Sequence, residues 1–380
     1  MKSKIKGKGG AGGLDVEERL ELMTRGAQEV VTVDELREAV ESGVKLKGYL
    51  GYEPSGLFHI GWVIWAEKVR ELVEAGVEFT LLEATWHAWI NDKFGGDLDL
   101  IRRDALYIRH ALRSLGVPVD RIRFVQADEL VSDSNYWALV LKVSKNTTLA
   151  RARRALTIMG RREDEAELDS SKLIYPFMQV SDIFYLGVDI AVGGMDQRRA
   201  HMLARDVAGK LGFKKPIAIH TPLLTSLAGV GRAGGGGLKS DELIIEAKMS
   251  KSKPESTILI HDPPEAIREK IRKAYCPPRD VKFNPIIEIN KYLLFRNPEF
   301  TLYIKRPEKY GGDLIVESYE QLEKLYLEGK IHPLDLKNAT AEALAKYLEK
   351  TREYFRRNKE AREIAMEIAS AQNIQITIEE

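Results

Sequence analysis

Strand and helix signals alternate along residues 46–221, and this alternation restricts the possible folds more than any other feature. Short apolar runs predict strands at 46–52, 78–84, 123–126, 190–193 and 217–221, and helical periodicity occupies 60–75, 99–115, 172–186 and 196–211. Strands joined by helices at this spacing pair in parallel, because the crossover helix returns the chain to the start of the next strand. The sequence therefore predicts an α/β fold with a Rossmann-type, doubly wound parallel sheet.

The segments outside this pattern predict the domain limits. Residues 1–44 hold a basic tail and two helical stretches, the second with Thr32 or Asp34 as its predicted cap. Residues 45–261 form the predicted Rossmann-type domain, with a helical insertion at about 130–170. After Asp262 the pattern is helical, which predicts an all-α C-terminal domain at 262–380. Its predicted helices lie at 264–274, 285–294, 319–328, 333–356 and 358–370, with a candidate hairpin at 303–307 and 313–316.

Composition limits the setting in which such a chain works. With 44% hydrophobic residues it can bury a core of its own. Cys276 is the single cysteine, which excludes an intramolecular disulfide, and no run of about 18 apolar residues could cross a bilayer. The N-terminal tail also lacks the apolar region of a signal peptide. The sequence predicts a cytoplasmic protein without a membrane partner.

The net charge of +1 conceals a separation of charges along the chain. Residues 141–162 carry seven Lys or Arg and no acid, whereas 163–169 carry five acids. A local basic face of this kind is typical of phosphate binding, although a solvated helix face is the alternative interpretation.

Two short strings carry most of the chemical information. His59-Ile60-Gly61 follows the first predicted strand, where the chain turns through Pro54 and Gly56 into a helix. Its backbone N–H groups and imidazole can face an anion at the carboxyl edge of a parallel sheet. Lys248-Met249-Ser250-Lys251-Ser252 adds two ammonium groups and two hydroxyls on a short loop. Together they predict a binding site for a nucleoside triphosphate that is formed by two separate segments of the chain. The glycine-rich segment 228–238, which precedes the second motif, predicts a mobile lid.

The two strings resemble the HIGH and KMSKS signatures of class I aminoacyl-tRNA synthetases, with Trp62 in place of the last histidine. A solvated basic turn is the alternative for the second string alone. Two further stretches, 174–182 and 193–199, make the resemblance more specific. From Tyr49 to about Ala339 the chain is similar to tyrosyl-tRNA synthetases of the archaeal and eukaryotic type, which implies a catalytic domain followed by a helical anticodon-binding domain.

The resemblance implies roles for individual residues of the catalytic domain. Tyr49 and Asp182 would bind the phenol of L-tyrosine, while Tyr175, Gln179 and Gln197 would bind its ammonium and carboxylate end, with Glu53 and His87 lining the pocket. The implied ATP contacts are Gly56, His59, Gly61, Asp196, Lys248, Met249, Ser250, Lys251 and Ser252. Among these, His59, Lys248 and Lys251 would be catalytic. Mg²⁺ would accompany ATP, without a protein-held metal site and without a prosthetic group.

The same resemblance extends to RNA. The first base pair of the acceptor stem of tRNA(Tyr) would be bound by Arg154, Arg198 and Arg199. Tyr310, His332 and Asp335 would read the anticodon by stacking and edge recognition, which is how unpaired bases are usually bound. For Asp335 alone, a helix cap is the simpler interpretation. The family is dimeric through the insertion, so the resemblance also implies a homodimer.

Two rival functions remain open at the level of sequence. A tryptophanyl-tRNA synthetase shares the architecture and both nucleotide signatures, but Tyr49 and Asp182 suit a phenol better than an indole N–H. A non-catalytic RNA-binding paralogue would have no reason to keep His59, Asp196 and both signature lysines. A dinucleotide oxidoreductase is set aside, because no Gly-x-Gly-x-x-Gly follows the first strand.

Overall fold

A computed structural model of the chain describes residues 13–159, 169–230, 248–249 and 254–378. The chain divides into two compact units, one formed by Met1–Ser55 with Trp65–Pro222 and the other by Gly56–Ile64 with Leu223–Glu380. The predicted division into functional domains at residue 262 stays a prediction.

The first unit is built on a mixed sheet of six described strands. These are β1 Glu29–Val31, β2 Lys47–Tyr52, β3 Glu78–Glu83, β4 Ile122–Gln126, β5 Ile190–Gly194 and β6 Ile217–Thr221, in the spatial order β1-β6-β5-β2-β3-β4. β2 through β6 pair in parallel, which confirms the predicted Rossmann-type sheet. The strand order reverses between β2 and β5, and ligands of such sheets bind at the carboxyl ends beside this switch point.

The edge strand β1 was not predicted from the sequence. It pairs antiparallel with β6, with Glu29 opposite His220 and Val31 opposite Ala218. A three-residue strand is too short to show a period of two, and its residues are only half-buried, so local pattern gives no signal.

Helices precede and connect the strands of this sheet, and their order matches the predicted alternation; α3 begins in the second unit. They are α1 Val16–Thr24, α2 Val33–Glu41, α3 Ile60–Glu74, α4 Thr85–Ile90, α5 Leu98–Ser114, α6 Ala127–Val131, α7 Ser134–Lys145, α8 Leu149–Ala155, α9 Ser171–Tyr185 and α10 Arg198–Ala208. α6, α7 and α8 lie between β4 and β5; α7 and α8 are within the predicted helical insertion, and α6 begins just before it. Thr32 caps α2 through a reciprocal bond with Glu35, which decides between the two predicted caps.

The second unit is mainly helical. Its described helices are α11 Pro264–Lys273, α12 Pro285–Ile289, α13 Tyr319–Leu327, α14 Pro333–Tyr347, α15 Glu349–Arg357 and α16 Lys359–Ala371. The candidate hairpin is present as β7 Leu302–Ile304 paired antiparallel with β8 Leu314–Val316. The predicted helix 333–356 is two helices in the structure, since Leu348 ends α14 and begins α15. Leu348 is buried and the apolar periodicity continues through it, so the sequence pattern shows no break.

Within the described part of the chain, no helix combines the length and the apolar character needed to cross a membrane.

Candidate active site

Asp182 on α9 is the centre of a buried polar cluster in the first unit. Its Oδ1 atom accepts a hydrogen bond of 2.7 Å from the hydroxyl of Tyr136 on α7. Its Oδ2 atom lies 3.1 Å from Nε2 of His87 on α4. All three side chains are buried, so the carboxylate is held away from bulk water.

Several polar atoms of this cluster have no hydrogen-bond partner among the described residues. They are Asp182 Oδ2, both ring nitrogens of His87 and Oε1 of Gln179. The close approach of His87 to Asp182 therefore lacks hydrogen-bond geometry. Buried polar atoms are nearly always bonded in native proteins, because leaving one unpaired costs about 1–3 kcal/mol. These buried atoms are therefore candidates to bind the polar groups of a ligand.

Tyr49 on β2 brings a hydroxyl to the same cluster. Burial, the charge of Asp182 and a hydrogen bond with it raise the pKa of Tyr49 well above its usual value. The phenol therefore stays protonated and can donate. Gly51 leaves room for it, since a Cβ atom at this position would lie 2.5 Å from the Tyr49 hydroxyl oxygen.

Glu53 and Tyr175 form the next part of the pocket. The Tyr175 hydroxyl donates to Glu53 Oε1 at 2.5 Å, and its ring meets the His87 ring edge-on at 5.0 Å. Asn91 Nδ2 donates to both Glu53 oxygens, at 3.1 and 3.0 Å, and to the carbonyl of Met159. Burial first, and then the charge of Glu53, raise the pKa of Tyr175 well above its usual value, so this hydroxyl is a donor as well.

Gln179 and Gln197 are joined directly. Gln179 Nε2 donates to Gln197 Oε1 at 3.0 Å, and Gln197 Nε2 donates to the Ile158 carbonyl at 3.1 Å. Gln197 ends the turn after β5 that also contains Asp196. Contacts thus connect five of the seven residues predicted for the tyrosine pocket, and Gln179 with Gln197 forms a separate pair that shares α9 with Tyr175 and Asp182. The individual roles of all seven stay predictions.

Sequence reasoning missed Tyr136 and Asn91. Tyr136 lies in the insertion, where a buried aromatic is ordinarily a core residue. Asn91 follows His87 by four residues, so its position one helical turn away was the available signal. Tyr136 bonds to Asp182 and Asn91 bonds to Glu53, and each of these contacts joins residues that are far apart in the sequence.

The predicted HIGH turn is held by main-chain pairing in the second unit. His59 pairs with Leu259, and the Ile60 N–H donates to the Ile258 carbonyl at 3.0 Å. The buried His59 ring accepts the Gly61 N–H at its Nδ1 atom, at 3.2 Å, as α3 begins. Trp62, which replaces the last histidine of the signature, packs on the His59 ring with centroids 5.6 Å apart.

The described start of the predicted KMSKS loop is also anchored in the second unit. Lys248 pairs with Thr225, and the Met249 N–H donates to the Leu224 carbonyl at 2.7 Å. Met249 is buried, which makes it an anchor of the loop. Ser250, Lys251 and Ser252 lie outside the described residues, as does most of the glycine-rich segment.

Glu288 on α12 binds Thr225, the residue that pairs with Lys248. Its two carboxylate oxygens accept the N–H of Thr225 at 2.7 Å and the hydroxyl of Thr225 at 2.9 Å. Burial raises the pKa of Glu288 from 4.5 to about 7, and the bonds from Thr225 oppose this shift only in part.

We expect Glu288→Gln to flatten the dependence of the unfolding free energy on pH. A folded-state pKa above the unfolded value means that the stabilisation is complete below pH 4.5 and is lost as pH rises towards 7. A shift of this size corresponds to roughly 3 kcal/mol. Urea unfolding at several pH values measures the effect, with exposed Glu265→Gln as the control; parallel profiles for Glu288→Gln and wild type would contradict the assignment.

The predicted tRNA contacts near the acceptor end lie on α8 and α10. Arg154 is exposed on α8. Arg199 Nη1 donates to the Arg154 carbonyl at 2.7 Å and to Thr157 at 3.0 Å. Arg198 forms a bidentate pair with Glu29, at 2.8 and 2.9 Å, and this pair lowers the pKa of Glu29. Arg198 therefore has an intramolecular partner, while its RNA role stays a prediction.

The predicted anticodon residues lie in the second unit. His332 caps α14, since its Nδ1 accepts the Leu334 N–H at 3.2 Å. Asp335 stands in the first turn of the same helix and does not cap it, so the simple cap interpretation fails. Tyr310 ends the short turn 308–310 between β7 and β8. Asp335 thus keeps its predicted RNA role as a hypothesis.

Comparison with known proteins identifies the family. The family described as tRNA synthetases class I (W and Y) matches residues 41–349. A tyrosine–tRNA ligase from Aeropyrum pernix is 59% identical over 331 residues, which are 87% of this chain and 91% of that protein. One from Sulfurisphaera tokodaii is 57% identical, over 89% of this chain and 93% of the relative.

A solved structure agrees with these relatives. The crystal structure of tyrosyl-tRNA synthetase from Pyrococcus horikoshii, complexed with L-tyrosine, superposes with a TM-score of 0.85 at 42% identity, covering 93% of this chain and all of that one. The chain belongs to the class I tRNA synthetases of the tryptophan and tyrosine family, and within it to the tyrosine–tRNA ligases.

Proposed function

We propose that the chain attaches L-tyrosine to tRNA(Tyr) in two steps, through a tyrosyl-adenylate formed with ATP. One observation carries this proposal: Asp182 holds a buried acceptor atom with no described hydrogen-bond partner beside the protonated hydroxyl of Tyr49. A substrate phenol needs both a donor and an acceptor; Asp182 offers the acceptor, and the Tyr49 hydroxyl would turn from Asp182 to the substrate to act as the donor.

The other end of the pocket suits an amino acid's charged groups. Gln179 has a buried, unpartnered amide oxygen within the described structure, and an ammonium group is a fitting donor to it. Glu53 carries negative charge and already accepts from Tyr175. We propose that Tyr175, Gln179 and Gln197 orient the ammonium and carboxylate, so that the carboxylate is the free nucleophile.

The first step is attack of this carboxylate on the α-phosphorus of ATP, with pyrophosphate as the leaving group. The bond between a carboxylate oxygen and the α-phosphorus forms as the bond between the α-phosphorus and the bridging oxygen of pyrophosphate breaks. Charge builds on the phosphate oxygens, so well-placed donors and cations supply the rate. We propose this role for His59, Lys248 and Lys251, with Asp196 on the ribose and Mg²⁺ arriving with the triphosphate. The remaining proposed ATP contacts are Gly56, Gly61, Met249, Ser250 and Ser252.

Pyrophosphate exchange into ATP tests the proposal when it is measured with each of the twenty amino acids. Only tyrosine should support exchange. Exchange with tryptophan would instead favour the tryptophan branch of the family. We do not expect this result, because an indole N–H can donate to Asp182 but accepts nothing from Tyr49. Binding of RNA without exchange for any amino acid would favour a non-catalytic paralogue.

The second step transfers tyrosine to tRNA, and we propose that two groups of residues bind the tRNA. Arg154, Arg198 and Arg199 would contact the acceptor end, while Tyr310, His332 and Asp335 would contact the anticodon. The support is chemical: guanidinium groups suit phosphates and base edges, Arg154 is exposed, and a carboxylate accepts hydrogen bonds from guanine.

We expect Asp335→Ala and Arg154→Ala to impair tRNA charging and to leave pyrophosphate exchange near the wild-type level, because exchange omits tRNA. Loss of the Asp335 carboxylate should relax discrimination at the first anticodon base by roughly 1–3 kcal/mol. Loss of Arg154 should weaken charging of all tRNAs with the same acceptor end. Transcripts altered singly at either place provide the measurement. Wild-type anticodon discrimination by Asp335→Ala would remove its proposed role.

We also propose that the chain is a homodimer. Trp137 and Leu141 lie one turn apart on α7 with 39% and 68% of their surfaces exposed, and a second copy would cover them. Light scattering of the intact chain measures the mass. The predicted cytoplasmic location stays a prediction.

A further inference from the structure

Gln372, directly after the last helix α16, contacts the turn that leads into the HIGH signature. Its Oε1 atom accepts the backbone N–H of Leu57 at a distance of 2.8 Å. Leu57 is buried and precedes His59 by two residues. The two partners are 315 positions apart in sequence but lie in the same compact unit. A main-chain donor of the proposed ATP-binding turn is therefore satisfied by the C-terminal end of the chain.

Gly56 is shaped to receive this side chain. Its φ angle of +111° lies in a region that side-chain-bearing residues rarely adopt. A Cβ atom at this position would lie 1.9 Å from Gln372 Nε2. The amide of Gln372 thus occupies the space that a larger residue would need, and it packs against the backbone of the turn.

The turn also bonds to the main chain of residues 258–260. The Ile60 N–H donates to the Ile258 carbonyl at 3.0 Å, and the Ile260 N–H donates to the Phe58 carbonyl at 3.1 Å. The next residue, His261, packs edge-on against Phe355 of α15 with ring centroids 4.4 Å apart. The turn before α3 is therefore bonded both to this segment and to Gln372, and each of these is connected to the C-terminal helices.

α16 is packed along its length, and Gln372 follows directly at its end. Five of its residues are buried, namely Ala361, Ile364, Ala365, Ile368 and Ala369. Asn358 caps its first turn by accepting the Ala361 N–H at 3.0 Å. Since a packed and capped helix moves little, the amide at its end can define the position of the Leu57 N–H.

We propose that Gln372 is a positioning residue for the nucleotide step, which acts by fixing the turn that carries His59. The inference rests on the proposed function, because His59 is taken to stabilise charge on the phosphates of ATP. A hydrogen-bond donor aimed at developing charge is effective only when it is held in place before the reaction. Without the Gln372 oxygen, the Leu57 N–H loses its partner and the turn gains alternative conformations.

The test compares Gln372→Met with Gln375→Met, which makes the same change at an exposed position three residues later. Gln372→Met keeps the length of the side chain and removes the acceptor. We expect kcat/KM for ATP in pyrophosphate exchange to fall about three- to tenfold, in line with the loss of one hydrogen bond. Tyrosine binding without ATP should stay within twofold of wild type. Gln375→Met should match wild type in both assays.

Gln372→Glu provides a second variant, since it keeps an oxygen acceptor for the Leu57 N–H. It should lose less kcat/KM for ATP than Gln372→Met, and thermal unfolding of each variant shows whether folding is preserved. Equal ATP kinetics for Gln372→Met and Gln375→Met would overturn the inference. An equal loss of tyrosine binding and ATP use would also overturn it, by indicating a general structural role. Failure of the wild-type chain to exchange with tyrosine would instead refute the proposed function.

Discussion

Lys248→Met should lower the first-order rate of adenylate formation by about 10², while tyrosine binding without ATP stays nearly unchanged. The ammonium group is proposed to act on the transferring phosphates, and removal of one such charge-stabilising donor typically costs this much. Lys248 is anchored by its main-chain pairing with Thr225, which the substitution leaves available, so the change removes a charge rather than the loop's attachment. Single-turnover stopped-flow kinetics measure the rate.

The control for this experiment is Lys359→Met, which removes an exposed lysine from the first turn of α16. It has the same effect on net charge and should leave adenylate formation at the wild-type rate. If Lys248→Met forms adenylate normally but binds tRNA weakly, the loop belongs to RNA recognition and not to activation of the amino acid.

Asp182→Ala should decrease kcat/KM for tyrosine by roughly 10- to 100-fold, equivalent to about 1–3 kcal/mol. The substitution removes the only carboxylate that we propose as acceptor for the substrate hydroxyl, and it leaves the Tyr136 hydroxyl without its 2.7 Å partner. Phenylalanine has no hydroxyl to bind, so its slow activation should change much less. Exchange assays with the two amino acids give the ratio.

Tyr136→Phe is the matched control for Asp182→Ala. It keeps the carboxylate and the ring, and it removes only the hydroxyl that bonds Oδ1 of Asp182. We expect a loss of kcat/KM for tyrosine of about 0.5–1.5 kcal/mol, smaller than that of Asp182→Ala. If Asp182→Ala reduces activation of tyrosine and phenylalanine equally, Asp182 supports the fold and the pocket assignment is wrong.

The predicted site residues were accessible to sequence reasoning to different degrees. Tyr175, Gln179 and Asp182 share a helix face because their spacing follows the helical period, and the structure has all three in one helix, α9. Tyr49, Glu53, His87 and Gln197 came from the resemblance alone, since no local pattern joins residues on β2, on α4 and after β5. The buried atoms that indicate a ligand, such as Asp182 Oδ2, could be found only in the three-dimensional structure.

The sequence by itself determined the alternation of strands and helices, the two signature motifs and the family, because each of these is written in short stretches of neighbouring residues. Only the tertiary structure decided that β1 joins the sheet, that Tyr136 holds Asp182, that Asn91 holds Glu53 and that Gln372 satisfies Leu57. These side chains are of common types in ordinary positions. Their partners lie 38 to 315 residues away, and a contact over such distances depends on how the whole chain packs.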